Sequence, residues 1–332
     1  MQLKAGKGYS LPQEIIEGVG AADDTMVICL DLQQALPTPR LSTNQVFYKR
    51  KMWTYNFGIH DYKSKQAHMF VWDETTANRG AAEIASCLYK FVTTFVPSNI
   101  KKLYIFSDNC PGQNKNKIII LFYLFLVHKR FFEEVYHIFF QTGHTYMNAD
   151  SHFATIENAV RRQNYVFSPQ CYADVIKNCR QRDPFVVTIM TQQDFYDFEQ
   201  LKRRCTIRKP ASDKFSDACY YKVSKAYRTG YELGCSYMQL SLGAGTKVRW
   251  AKGTGERADQ AMNLNVPLVQ KYLAPLPLKQ AKLKDLQSYV KDLVPANIYD
   301  SFWKQILNAA PSSDSSDDDE DEPFPFMADY YD

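Results

Sequence analysis

The sequence predicts an α/β fold: a mixed sheet, made of a three-strand antiparallel meander plus parallel strands, flanked by helices. Three observations carry this. Apolar strand-like runs and amphipathic runs follow one another in the order β-β-β-α-β-α-β-α through the first 183 residues. Two of the strand-like runs, MVICLD and KLYIFS, end in or lead straight into an aspartate, Asp31 and Asp108. No glycine-rich turn follows the first of them, which excludes a doubly wound dinucleotide fold.

Residues 26–31 are a short apolar run of strand formers, and the next stretch, LQQALPTPRLS, has two prolines that forbid a continuing strand. Residues 46–60 and 66–73 read as two further strands joined by a turn at 61–65. Residues 75–96 are amphipathic and Ala-rich, a helix closed by Pro97. Residues 102–107 form a buried strand, and the loop NCPGQ leads into a helix from 114 to 130. A strand at 135–141 and helices at 149–162 and 169–180 complete the alternation.

The longest apolar run is residues 118–127, whereas a membrane span needs about 20 residues, so this run predicts a buried helix and no membrane partner. Residues 184–250 are strand-like in places, Tyr-rich and dense in Lys and Arg, and predict a smaller α+β region. Residues 281–307 look helical, broken at Pro295. The expected organisation is an extension at 1–22, a core at 23–183, a basic α+β region at 184–310 and a disordered acidic tail at 311–332.

Charge is unevenly placed. The chain has 332 residues and a net charge of +4, but residues 311–332 hold nine acids and no base. The remaining residues carry 40 bases against 27 acids, a balance that suits a polyanionic partner as well as plain solubility. Small basic clusters lie at 49–51, 202–204 and 208–209. The acidic tail could dock on this basic body in place of DNA. Eight scattered cysteines, none in a CxxC, predict reduced thiols in an intracellular protein and argue against a zinc site.

Asp31 and Asp108 carry the chemistry. Each stands at the carboxyl end of an apolar strand, where ligands bind in open α/β sheets. Either alone reads as a turn or helix cap. Together they would repel, and a divalent cation removes that repulsion; oxygen ligands suit Mg²⁺ or Mn²⁺. A third acid is expected after the next strand, either Asp150 at the helix start or Glu157, two helical turns on and on the same side. Glu83 on the first long helix is a candidate fourth carboxylate. His144 in QTGHTYM, and less so His152, are candidate metal ligands or proton shuttles. Asn109, Gln113 and Asn114 are placed to touch a scissile strand or to orient Asp108, in a loop that lacks the ending of a P-loop.

In this order, DLQQALPTPRLS, FYKRKMWTYNFGIHD, WDETTANRGAAEIASC, FSDNCPGQNKN and GHTYMNADSHFATIE resemble the transposon-derived proteins common in arthropod genomes. That family has an uncharacterised domain taken to be a DDE-type, ribonuclease-H-like transposase core. The resemblance implies a ribonuclease-H-like sheet with Asp31 as the first acid, Asp108 as the second, and Asp150 or Glu157 as the third, with Glu83 in the family's RGxxEI-like helix. It implies a nuclear, metal-dependent nuclease or strand transferase acting on DNA with two Mg²⁺ or Mn²⁺ ions about 3.5–4 Å apart, and no small-molecule cofactor. Asp31 would bridge both ions. Members often carry a Cys/His-rich region ahead of the first catalytic strand, which this sequence lacks, so an inactive, host-adopted DNA-binding or scaffold protein is the first alternative. A structure-selective nuclease on RNA–DNA hybrids or junctions is the second. The oligomeric state is open, a homo-oligomer included.

Overall fold

A computed structural model describes residues 2–3, 22–110, 112–140, 148–204, 218–225, 227–234, 240–241, 246–249, 264 and 266–312. The fold is mixed α/β, one twisted sheet of ten strands with helices on both faces.

The first strand of this sheet, β1 (Thr25–Leu32), is apolar from Met26 to Leu30 and buried from Thr25 to Leu30. A three-residue strand, β2 (Leu36–Thr38), then pairs antiparallel with β3 (Met52–Asp61), where Pro37 is tolerated because the stretch is short and lies off the main path of the sheet. The second meander strand is thus shorter than the expected 46–60, because residues 44–46 form a 3-10 turn. β4 (Ala67–Asp73) closes the meander. Helix α1 (Ala81–Phe95) starts later than residue 75, because Asp73 accepts the backbone N–H of Thr75 and of Thr76 and holds that stretch as a turn.

β5 (Lys102–Ser107), α2 (Lys117–His128), β6 (Glu134–Phe139), α3 (Asn148–Arg161) and α4 (Pro169–Asn178) follow in the expected order. The side chain of Asn116 accepts from the N–H groups of Ile118 and Ile119, which is why α2 begins at Lys117. The apolar run lies inside α2 and is buried all round, as an unpatterned apolar helix must be. No helix among the described residues is long and apolar enough to cross a membrane.

The meander and alternating units lie in the order β4-β3-β1-β5-β6, with β3 antiparallel to both its neighbours and β1, β5 and β6 mutually parallel. This is the order and direction of strands in a ribonuclease-H-like sheet. Of the strands beyond residue 183, Leu240–Ser241 pairs with Gln2–Leu3 in a two-stranded sheet of its own, and the others join the main sheet. β7 (Val186–Ile189) adds in parallel to β4, while β8 (Tyr220–Ser224), β9 (Tyr227–Gly234) and β10 (Thr246–Arg249) extend the sheet beyond β6. Period-two patterning marks a strand but not the edge it joins, so the expected boundary at 183/184 falls inside the sheet.

Alternation along the strands divides the core. Met26, Ile28 and Leu30 of β1 pack with α1 and α2 on one face. Val27 and Cys29 of β1, with Tyr104 and Phe106 of β5, pack with α3 and α4 on the other. A third cluster joins Val46 and Met52 to the helical segment 278–307, which includes α5 (Gln280–Gln287). The described cysteines are all free, and Cys29, Cys87 and Cys219 are buried. The acidic tail beyond Ser312 and most of the amino-terminal extension lie outside the described residues.

Candidate active site

Asp31 and Asp108 face the same way for a simple reason. Side chains alternate along a strand, so Asp31 shares the α3 face with Val27 and Cys29, and Asp108 continues the face of Tyr104 and Phe106. β1 and β5 are parallel neighbours with Cys29 level with Phe106. The ladder ends at that pair; carried two residues further, the same register would set Asp31 level with Asp108, which follows the last residue of β5.

Helix α3 brings Asp150 to the same edge. Ala149, Phe153, Ile156 and Val160 seat the helix on the sheet face that Asp31 and Asp108 share, which leaves Asp150 in its first turn. Close seating is possible because Gly58 of β3, paired with Asp31, has no side chain: a Cβ there would stand 3.0 Å from Cε1 of Phe153. The thiol of Cys29 meets the backbone at Asn148 and Ala149, under the start of the same helix.

Electrostatics report the convergence. Burial first, then the charge of Asp108 and more weakly that of Asp150, push the Asp31 carboxyl up to about 7, against the pull of the Leu32 backbone N–H, which donates to it at 2.8 Å. Burial and the Asp150 charge also raise the Asp108 carboxyl, opposed by the side-chain amide of Asn114, which donates to Oδ1 at 2.7 Å. Two turns further along the same helix, Glu157 accepts from the Gln33 side chain at 3.5 Å, and Asn56 donates in turn to Gln33 at 2.9 Å.

The remaining sequence candidates are distributed as follows. Asn114 orients Asp108 as expected. Asn109 is half-buried in the same loop, and Gln113 contributes its backbone, accepting from Asn116 Nδ2 at 3.1 Å. Glu83 does not join the acids. Its helix packs on the opposite sheet face, and its buried carboxylate caps α1 through the Gly80 N–H (2.9 Å), pairs with Lys271 (2.8 Å) and accepts from the Tyr272 hydroxyl (2.5 Å). His144 lies outside the described residues. His152 is buried against His60, not at the acids' edge of the helix. Of the basic clusters, Lys49 and Arg50 pair with Asp285, Lys51 turns inward over the Tyr289 ring, and residues 208–209 lie outside the described residues.

Sequence reasoning missed the supports beneath Asp108. His137 of β6 is fully buried, with Ser107 Oγ 2.8 Å from one ring nitrogen and the Tyr123 hydroxyl 2.8 Å from the other. Ser107 also donates to the Asp108 carbonyl at 2.8 Å. A polar residue inside an apolar strand run, as in VYHIFF or YNFGIHD, was the available signal.

Three carboxylates, one of them buried and raised by the other two, form an oxygen donor set whose chemistry fits a hard divalent cation. Among the described residues, no three His, Cys, Asp or Glu side chains stand close enough to hold a metal ion as they are placed. The acids are gathered at one edge and are not drawn into a cage.

Sheet order and acid placement together define a ribonuclease-H-like α/β protein with Asp31, Asp108 and Asp150 converging where β1, β5 and α3 meet. Residues 46–229, more than half of the chain, match a family described as a domain of unknown function (DUF7869), and the chain belongs to that family. The match begins after Asp31. No curated protein and no solved structure matches the chain.

Proposed function

We propose that this chain is a transposase-derived, DDE-type nuclease or strand transferase that acts on DNA in the nucleus. The observation that carries the reading is that Asp31, near the end of β1, lies where the charges of Asp108, just past the end of the parallel neighbour β5, and of Asp150, on the helix that covers them, both act on it. Asp150 is the third acid in this reading, since its charge acts on both Asp31 and Asp108, while Glu157 faces Gln33.

Asp31, Asp108 and Asp150 would hold Mg²⁺ or Mn²⁺, two ions in all, which supply charge neutralisation at a phosphodiester and an activated oxygen nucleophile. The chain's own part is to hold three negative groups in fixed directions. Asn114 fixes the Asp108 carboxylate, the Leu32 N–H fixes that of Asp31, and Gly58 lets α3 approach.

A second reading is a protein that keeps the fold and binds DNA without cutting it. It keeps the same sheet and the same acids. Supercoiled plasmid incubated with Mn²⁺ or Mg²⁺ separates the two. The nuclease reading expects nicking that falls at least a hundredfold in Asp31→Asn and in Asp108→Asn, and Mn²⁺ binding by calorimetry that both variants lose. Wild-type protein that neither binds Mn²⁺ nor nicks DNA leaves the inactive reading. Parallel assays on RNA–DNA hybrids and junctions set the substrate.

A further inference from the structure

Among the described residues no carboxylate pairs with Arg180, which lies just past the end of α4. Its guanidinium carbon stands 4.2 Å over the centre of the Phe185 ring, and its Nε is shut off from water without a hydrogen-bond partner. Burying a donor in this way is costly unless an acceptor arrives. The acids around it are engaged. Both oxygens of Asp61 accept from their own turn, one from the Lys63 N–H at 2.9 Å and one from the Ser64 hydroxyl at 2.5 Å. Asp174 accepts from Gln170 at 3.0 Å, and Asp183 faces Arg182 at 3.9 Å. The loop that carries Arg180 is anchored, since Gln66 donates to the Pro184 carbonyl at 2.9 Å and Phe185 is only 3% exposed.

His152 supplies a second unused donor on the same ring. It is 7% exposed and meets Phe185 edge-on with centroids 5.2 Å apart. Its Nε2 stands 3.2 Å from Nδ1 of His60, whose Nε2 stands 3.0 Å from the Asn148 amide nitrogen. With that amide donating, His60 carries its proton on Nδ1 and gives it to His152, so the proton of His152 is on Nδ1. No described residue accepts it. The charge of Arg180 acts on both imidazoles, which places the guanidinium beside the first turn of α3. Asp150 does not intrude. Two residues back, it is turned roughly 200° away around the helix, and its charge acts on Asp31 and Asp108.

We propose that Arg180 and His152 form a binding site for a phosphate group, with the guanidinium supplying charge and the imidazole N–H direction. An aromatic ring shared by a cation and a neutral donor holds both in place before a ligand arrives, which lowers the entropy cost of binding. A carboxylate fits less well: its two oxygens lie in one plane and are both taken by the guanidinium fork. A phosphate spreads its oxygens in three dimensions, so the fork and the imidazole can each have one. The site uses neither the acids nor a metal. That the phosphate belongs to a DNA strand rests on the nuclease reading; free phosphate is the other source.

The test titrates the full chain, with isotope-labelled histidine rings and EDTA present, with inorganic phosphate at an ionic strength held constant by chloride. Wild type should show a saturable shift of the His152 Nδ1 resonance. Arg180→Gln should weaken the apparent affinity about 10- to 100-fold. Arg180→Lys keeps a charge and keeps Phe185 covered by its stem, but loses the fork, and should lie between the two. Melting temperatures run beside this count only as differences between chains, because phosphate stabilises folded proteins in general. Anisotropy of a short labelled duplex across salt concentrations then identifies the source. A salt slope that falls by about one in Arg180→Gln puts a DNA phosphate in the site; an unchanged slope beside lost phosphate binding assigns it to free phosphate. Phosphate that moves His152 no more than chloride does, or an equal response in Arg180→Gln, overturns the proposal. Absent nicking with this response intact would count against the nuclease reading alone.

Discussion

His152 on α3 and His60 on β3 meet ring to ring inside the protein, with Nε2 of His152 3.2 Å from Nδ1 of His60. Asn148 stands 3.0 Å from the other nitrogen of His60. With the Asn148 amide donating to Nε2, His60 carries its proton on Nδ1 and donates it to His152. Both rings are neutral in this chain, which ties the first turn of α3, and so Asp150, to the sheet.

Acid should therefore loosen that turn. Burial first holds His60 down to about 4, with Arg180 and His68 adding to it and Asp61 opposing, and burial, His60 and Arg180 hold His152 down to about 3. The unfolded chain takes up these protons near 6.5. The folded chain does not, so the stability this pair contributes is complete above pH 6.5 and is lost as pH falls through 4. Each histidine adds a slope of about 1.4 kcal/mol per pH unit in that window. His152→Gln removes one of them. Urea melts at pH 7.5, 6 and 5 should show the gap between wild type and variant narrowing as pH falls. A gap that stays constant would mean that the pair is not held neutral.

Asp31→Asn should stabilise the protein. The raised carboxyl of Asp31 means that ionising it disfavours the fold: this penalty is absent below about 3.8, grows as pH rises, and is complete above about 7. The amide keeps the oxygen that accepts from the Leu32 N–H. A gain of about 1–3 kcal/mol at pH 8, vanishing near pH 4, is the expected outcome of denaturant melts. Millimolar Mg²⁺ should raise the melting temperature of wild type and leave that of the variant unchanged, since a cation relieves a repulsion the variant no longer has.

Asn114→Ala removes the side-chain donor that lowers Asp108. The Asp108 carboxyl then rises further, and the acidic limb of a nicking-rate profile should move to higher pH, with a loss of about 1–2 kcal/mol in stability. Asn114→Asp should be more damaging, because it adds another negative charge at 2.7 Å from Asp108 Oδ1. An unshifted pH profile in Asn114→Ala would show that Asp108 does not titrate in the reaction.

How much of this was legible in the sequence depends on whether a signal was local. MVICLD places residues 27, 29 and 31 on one side of a strand by simple alternation, and the run through Asp108 does the same, so both acids could be read without a structure. That their strands are neighbours could not, because the pairing arises from hydrogen bonding between strands 77 residues apart. Glu83 misled for a local reason. An acid three residues after Gly80 is what a helix N-terminus asks for, and that role, completed by Lys271 and Tyr272 from far along the chain, took the carboxylate away from the acids. The strands of residues 186–249 carried strand-like patterns, but which edge a strand joins is decided by surfaces elsewhere. His60 and Asn56 were visible as polar residues in a buried strand, yet their partners on α3 and in Gln33 were not.

Gly58→Ala tests whether the approach of α3 matters. Gly58 has no positive φ to explain it, so space is the reason for a glycine there. An added Cβ meets Phe153 at 3.0 and 3.1 Å and the Met69 sulfur at 3.4 Å. Met69 can swing aside, but the Phe153 ring is buried and fixed to α3, so relief requires the helix to lift from β1 and carry Asp150 away from Asp31. Overpacking of this kind costs about 1–3 kcal/mol. The revealing measurement is nicking at a temperature where the variant is still folded: activity should fall well beyond the folded fraction, and Mn²⁺ affinity should fall with it. Phe153→Leu in the same chain removes the ring that collides and should restore both together. Restored stability without restored Mn²⁺ affinity would separate the packing of α3 from the placement of its acid.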